Sequence, residues 1–427
     1  MMRVPMLDER VFAAYWIETA FPLDDAAASM AGEQSTGTFV RVPGETDELR
    51  EAHAARVEEL VDLGEVEGPS LPGSGMPKNS SGRRRAARVT LSWPLANFGP
   101  SLPNLLAAVA GNLSELKAFS GLKLLDLKLP PAFLERYQGP QFGVAGTRRL
   151  ADVYDRPLIG TIIKPSVGLS PDATAELVRT LADAGIDFIK DDELQADGPY
   201  CPFKDRIAAV MSVIRDHADR TGKKVMYAAN ITGDIEEMLV RHEQVVKAGG
   251  TCIMVSMNSI GLPAMKVLRS ESQLAIHGHR NGWGMLGRSP AIGMSFIAYQ
   301  KLWRLAGIDH THVNGIDNKF CEENESVIAS ARECLTPMFD APLPGCEVMP
   351  VFSSGQSARQ VAATFDALGS TDLIYAAGGG IMAHPGGPSA GVKALHQAWQ
   401  SAVAGVPVVQ AAEEHPELAA ALGAFTR

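Results

Sequence analysis

The chain has 427 residues, 46% of them hydrophobic, and a formal net charge of −10. It can bury a sizeable core, it is long for a single domain, and its charge argues against nucleic acid or an anionic membrane as a general partner. Five cysteines with no CxxC pair read as free thiols in a reducing cytoplasm. The N-terminus, MMRVPMLDERVFAAYW, lacks the apolar run and cleavage site of a signal peptide.

Residues 1–145 predict a mixed N-terminal domain. Val11–Ile17 and Thr36–Val42 are β-branched and aromatic, and read as strands. The charged stretch Asp47–Leu63 has helical spacing, Gly68–Arg85 reads as a Gly/Pro/Ser-rich connection, Arg88–Trp93 as a strand and Leu102–Gly111 as a helix.

Residues 146–427 predict a catalytic domain with C-terminal helices. From residue 157 the pattern becomes regular. Eight short apolar runs begin at Leu158, Ile186, Lys224, Cys252, Gln273, Ile308, Glu347 and Asp372. Between them lie amphipathic segments such as Pro171–Ala184, Lys204–Thr221, Glu236–Ala248 and Ala358–Leu368. Continuous apolar runs suit parallel strands buried on both faces, and eight βα units predict a (β/α)₈ barrel. No Gly-rich dinucleotide turn follows the first run, as an open doubly wound sheet would favour.

Barrel active sites form where strands end, and the residues at those positions are chemically unusual. They are Lys164; Lys190 with Asp191, Asp192 and Glu193; Asn230; His277, His279 and Arg280; His310 and His312; Ser353 to Gly355; and Gly378 to Gly380. An isolated acidic cluster is most often a solvated loop. After a buried apolar run, Asp192 and Glu193 instead suit a hard cation such as Mg²⁺. His279 and His312 offer acid/base chemistry near neutral pH, and Arg280 a bidentate phosphate grip. Gly378 and Gly379 can present backbone N–H groups to an anion. Met254, Met257 and Met265 read as core rather than as a pocket for a thioether.

With these pieces in place, the chain resembles the RuBisCO large-subunit family. The matching elements are GTIIKPSVGLSP (160–171), GIDFIKDDE (185–193), HGHR (277–280), DHTH (309–312), AAGGGIMAHPGG (376–387), EQSTGTF (33–39) and GN (111–112). The resemblance implies an α/β fold: an N-terminal α+β ferredoxin-like domain and a C-terminal (β/α)₈ TIM barrel. It also implies a homodimer in which each N-terminal domain completes its partner's active site. Lys190 then matches the lysine that CO₂ carbamylates, and with Asp192 and Glu193 it would bind Mg²⁺. Lys164 and His279 match proton-transfer residues, Lys319 the mobile-loop lysine, and Asn112 a residue meeting the metal-bound substrate. Thr38, Arg280, His312, Gly355, Gly378 and Gly379 match phosphate-binding positions, and Ser353 a hydroxyl-binding one. Glu33 and Lys319 match a pair that meets where CO₂ joins the enediolate.

Several departures separate the chain from CO₂-fixing members. Ser166 replaces an active-site lysine, Phe39 replaces a tryptophan, VNGIDNKFCEENE (313–325) lacks the Gly-hinged loop, and NGWGMLG follows HGHR. They point to the RuBisCO-like branch. The expected activity is decarboxylation of 3-oxo-isoapionate 4-phosphate, a phosphorylated β-keto sugar acid. Hydrolytic cleavage of the same substrate, and enolisation or isomerisation of methylthio-ketose phosphates in methionine salvage, are the alternatives. A non-catalytic interaction protein is the alternative of another class, and it would have no reason to retain Lys190, Asp192 and Glu193.

Overall fold

The computed structural model describes residues 9–37, 42–78 and 82–425. Thirteen strands occur among them: β1 Arg10–Thr19, β2 Arg56–Val66, β3 Arg84–Pro94, β4 Phe119–Lys128, β5 Leu158–Ile162, β6 Phe188–Lys190, β7 Met226–Asn230, β8 Cys252–Ser256, β9 Ala275–His279, β10 Ile292–Met294, β11 His310–Asn314, β12 Met349–Phe352 and β13 Ile374–Ala376. By internal contacts the chain divides into two compact units. The first holds residues 1–137 with 282–305 and 338–343, and the second holds the remainder.

The first unit is built on a five-stranded sheet ordered β10-β4-β1-β3-β2. β1 pairs antiparallel with both β3 and β4. Its Val11, Ala13, Tyr15 and Ile17 are buried while the alternate residues are half-exposed, the two-residue period of a sheet with one covered face. The helix Leu23–Glu33 packs against β2 and β3. Two readings of this region change. The helix predicted over 47–63 stops at His53, and the chain continues as β2. β4 was not anticipated, and its parallel partner β10 enters from far along the sequence. The strand expected at 36–42 falls largely outside the described residues, and Thr36 lies in a turn.

In the second unit β5, β6, β7, β8, β9, β11, β12 and β13 close into a parallel barrel. All eight apolar runs read from the sequence contribute a strand. Leu158, Phe188, Met226, Cys252, Met254, Met349 and Ile374 fill the interior, as expected for a barrel packed with side chains. Met257 and Met265 are also fully buried. Helix ends carry ordinary chemistry. Ser170 caps the helix Pro171–Asp183 through the Ala173 N–H, and Asp234 with Glu237 forms a capping box for Ile235–Lys247. Among the described residues no helix is long and apolar enough to cross a membrane.

Candidate active site

Register brings the charged strand ends together. Ile162 of β5 lies opposite Lys190 of β6, so Lys164, two residues on, reaches the acidic cluster. Its Nζ donates to Asp192 Oδ2 at 2.6 Å and to Ser166 Oγ at 2.8 Å. A Cβ placed on Gly378 would come within 4.0 Å of Lys164 Cε, which puts the first glycine after β13 beside the same lysine.

Lys190 is fully buried. Its Nζ donates to the Asp191 carbonyl at 2.7 Å and lies 3.4 Å from Glu193 Oε2. Burial pushes its pKa below the usual lysine range against the pull of Glu193 and Asp192, favouring the neutral, nucleophilic amine. Glu193 Oε2 also lies 3.4 Å from His279 Nε2. Burial raises the Glu193 carboxyl, but His279 and Lys190 outweigh it and hold the group below the usual carboxylate range. Burial lowers His279 to about 4, with Lys190 acting in the same direction. With its proton on Nε2, His279 faces Glu193 as a donor and accepts from the Asn281 N–H at 3.2 Å on Nδ1, which also lies 3.2 Å from Asn281 Oδ1.

Asp191, between the two site residues, points elsewhere. It accepts from Arg206 Nη2 at 3.1 Å, the Asn230 N–H at 2.9 Å and the Tyr227 hydroxyl. Asn230 in turn donates to the carbonyls of Asp192 and Glu193, each at 3.3 Å. Sequence reading did not single out this support. A third acidic residue on a short strand end, one residue out of phase with Lys190 and Asp192, was the available signal.

A buried imidazole pair lies beside His279. His277 Nε2 and His312 Nε2 are 2.9 Å apart, and His312 Nδ1 is 2.8 Å from Ser353 Oγ. His277 Nδ1 is buried without a partner. A stranded lone pair costs less than a stranded N–H, so His277 donates to His312, and His312 donates to Ser353. The Ser353 hydroxyl proton is thereby left for another acceptor. Burial holds His277 and His312 neutral, well below the ordinary histidine pKa.

Arg280 donates to Glu322 at 2.5 Å. Lys319 is exposed, its backbone N–H donating to the Ser354 carbonyl at 3.0 Å. A Cβ on Gly355 (φ +98°) would stand 3.7 Å from Lys319 Cβ, so these two expected residues are neighbours. Gly379 faces open space. Glu33 and Asn112 belong to the first unit, both exposed. The Gln34 amide, next to Glu33, accepts from the Asn112 N–H at 2.9 Å in the orientation that satisfies both of its ends. Thr38 and Phe39 lie outside the described residues.

Among the described residues no three His, Cys, Asp or Glu side chains form a group able to hold a metal. Asp192 and Glu193 therefore need a further oxygen donor. Lys190, buried against Glu193, would supply one as a carbamate, so the residues present fit a Mg²⁺ site conditional on that modification.

The model of the ribulose bisphosphate carboxylase large chain catalytic domain matches residues 143–425, and that of its N-terminal domain matches residues 5–133. The chain is 56% identical to the 3-oxo-isoapionate-4-phosphate transcarboxylase/hydrolase of Xanthobacter autotrophicus, covering 98% of this chain and 99% of that protein. It is 47% identical to the 3-oxo-isoapionate-4-phosphate decarboxylase of Rhizobium etli, covering 96% and 98%. The crystal structure of a RuBisCO-like protein from Burkholderia fungorum superposes with a TM-score of 0.91 at 47% identity, over 98% of this chain and all of that one. The chain belongs to the ribulose bisphosphate carboxylase large-chain family.

Proposed function

We propose that this protein is an enzyme that breaks the carbon–carbon bond to the carboxylate of 3-oxo-isoapionate 4-phosphate, releasing CO₂ and leaving an enediolate. The observation that carries the reading is the joined cluster of Lys164, Lys190, Asp192, Glu193 and His279 in a chain 46–56% identical to proteins named for this substrate. A β-keto acid loses CO₂ readily once negative charge on the keto oxygen is stabilised.

Lys190, Asp192 and Glu193 would hold Mg²⁺, with Lys190 as its carbamate. The bound ion supplies Lewis-acid stabilisation of the developing negative charge. Lys164 Nζ, held by Asp192 and Ser166, is the proton donor to the carbon that loses CO₂. Arg280, His312, Gly378 and Gly379 bind the phosphate, and Ser353 donates its hydroxyl proton to a substrate oxygen. Glu33, Thr38 and Asn112 of a partner subunit complete the site in a cytoplasmic homodimer, and Lys319 closes over the departing carboxylate.

The relative at 56% identity favours a second outcome, in which the carboxyl group is transferred and the product hydrolysed. Both outcomes begin with the same bond cleavage. Purified protein with Mg²⁺ and bicarbonate is assayed on 3-oxo-isoapionate 4-phosphate. CO₂ with a tetrulose phosphate establishes decarboxylation, and glycolate with phosphoglycerate establishes the hydrolytic route. Neither product, with Lys190 carbamylated and metal bound, sinks the substrate assignment.

A further inference from the structure

The loop after β11 places a carboxylate on the arginine that would grip the substrate's phosphate. Arg280 Nη2 donates to Glu322 Oε2 at 2.5 Å, with the two side chains 7% and 14% exposed. The same oxygen accepts from Asn314 Nδ2 at 2.6 Å, and Oε1 accepts from Ser326 Oγ at 3.1 Å. Asn314 ends β11 in a left-handed conformation (φ +67°), and its Oδ1 accepts from Ser354 Oγ at 2.8 Å. Asn318 Nδ2 clasps the loop by donating to the Gly315 and Glu322 carbonyls at 2.9 and 3.1 Å. Lys319 follows Asn318 directly and is tied to the Ser354 carbonyl. One carboxylate thus joins the guanidinium, the end of β11 and the base of the loop that carries Lys319.

We propose that Glu322 is a built-in competitor for the substrate's phosphate at Arg280, setting the site's selectivity for a dianionic phosphoryl group and releasing the Lys319 loop when one arrives. The inference rests on reading Arg280 as a phosphate ligand. A carboxylate ligand replacing Glu322 exchanges one monoanion for another and gains little. A phosphate monoester brings nearly two charges and three acceptor oxygens, so an unphosphorylated sugar acid is rejected. The incoming phosphate must break an existing contact, which lowers its apparent affinity by the fraction of molecules with Arg280 free. Once displaced, Glu322 no longer accepts from Asn314 Nδ2 or Ser326 Oγ, and the loop loses that side-chain tie to β11 while keeping the Asn318 clasp and the Lys319 N–H bond to Ser354.

The competing explanation is that Glu322 only orients Arg280. The two differ in sign: removing an orienting group weakens phosphate binding, and removing a competitor tightens it. Inorganic phosphate affinity is measured by calorimetry on the full chain and on E322Q, E322D, R280M and the E322Q/R280M double variant. E322Q is expected to bind phosphate about tenfold more tightly, E322D to fall between it and the parent, and the gain to vanish in the R280M background. Hydrogen exchange over residues 315–323 of the unaltered protein should rise on adding phosphate, a readout that survives if E322Q fails to fold. Unchanged or weaker binding by E322Q, the same gain without Arg280, or loop exchange indifferent to phosphate each overturns the proposal. No turnover is measured, so these results stand apart from the substrate assignment. If R280M leaves phosphate affinity unaltered, it is the phosphate role of Arg280 that fails.

Discussion

Lys190 owes its chemistry to its surroundings. An exposed lysine is an ammonium ion at neutral pH, whereas burial lowers the pKa of Lys190 against the pull of Glu193, the direction that the proposed carbamylation needs. Lys190→Met and Lys190→Arg should each lower kcat by at least about 10³-fold and abolish activation by bicarbonate, since neither side chain forms a comparable carbamate. Residual activity that still responds to bicarbonate would contradict this role. The buried imidazoles predict a pH effect on stability. His310, bonded to Thr147 Oγ1 at 2.8 Å, is held at about 3 by burial, while an unfolded histidine titrates near ~6.5. Below ~6.5 the unfolded chain therefore binds a proton that the folded chain refuses. Stability falls as pH drops from ~6.5 towards 3, by up to about 1.4 kcal/mol per unit for His310, and above ~6.5 there is no contribution. Urea denaturation of the metal-free protein should show a shallower acid limb for His310→Asn, and an unchanged slope would refute the assignment.

Short parallel strands are tied at their ends by buried aspartates. Asp309, just before β11, accepts from the Phe142 and Gly143 N–H groups at 2.6 and 3.0 Å, the Ile276 N–H at 2.8 Å and Arg269 Nη1 at 3.1 Å. Asp309→Ala strands these donors and a buried guanidinium, and should cost about 3–5 kcal/mol in denaturant unfolding. A loss under 1 kcal/mol would mean that water replaces the carboxylate. β2 shows why one element was misread. Its Glu59, Asp62 and Glu65 resemble the charged face of a helix, yet they pair across strands. Arg88 reaches Glu59 at 3.2 Å, Arg83 reaches Glu65 at 3.1 Å, and Arg85 bonds Asp62. Charge spacing alone does not distinguish pairing four residues along a helix from pairing with a strand that comes later in the chain.

At the scale of the whole molecule, the proposed sharing of sites between subunits has a direct test. On the proposed roles, Asn112→Ala and Lys190→Met should each disable a site, one from the first unit and one from the second. Co-expressed in equal amounts, they form mixed dimers in which one site carries both defects and the other carries neither. If sites are shared, about a quarter of all sites, and of the parent's activity, should return. If each chain builds its own site, none returns.

The sequence by itself determined the barrel and which residues stand at its strand ends. Eight apolar runs fix parallel strands, and strand period two places Lys190 and Asp192 on one side and Asp191 on the other. The family motifs were legible because each is contiguous, those of the second unit standing at the ends of barrel strands. What only the tertiary structure decided lies between elements. The entry of β10 into the first unit's sheet, the His277–His312–Ser353 relay and the seating of Glu322 on Arg280 join residues between 35 and 170 positions apart in the sequence. Such contacts leave no local periodicity. They are selected by barrel closure, which sets strand neighbours, and by the cost of leaving buried polar groups unpaired.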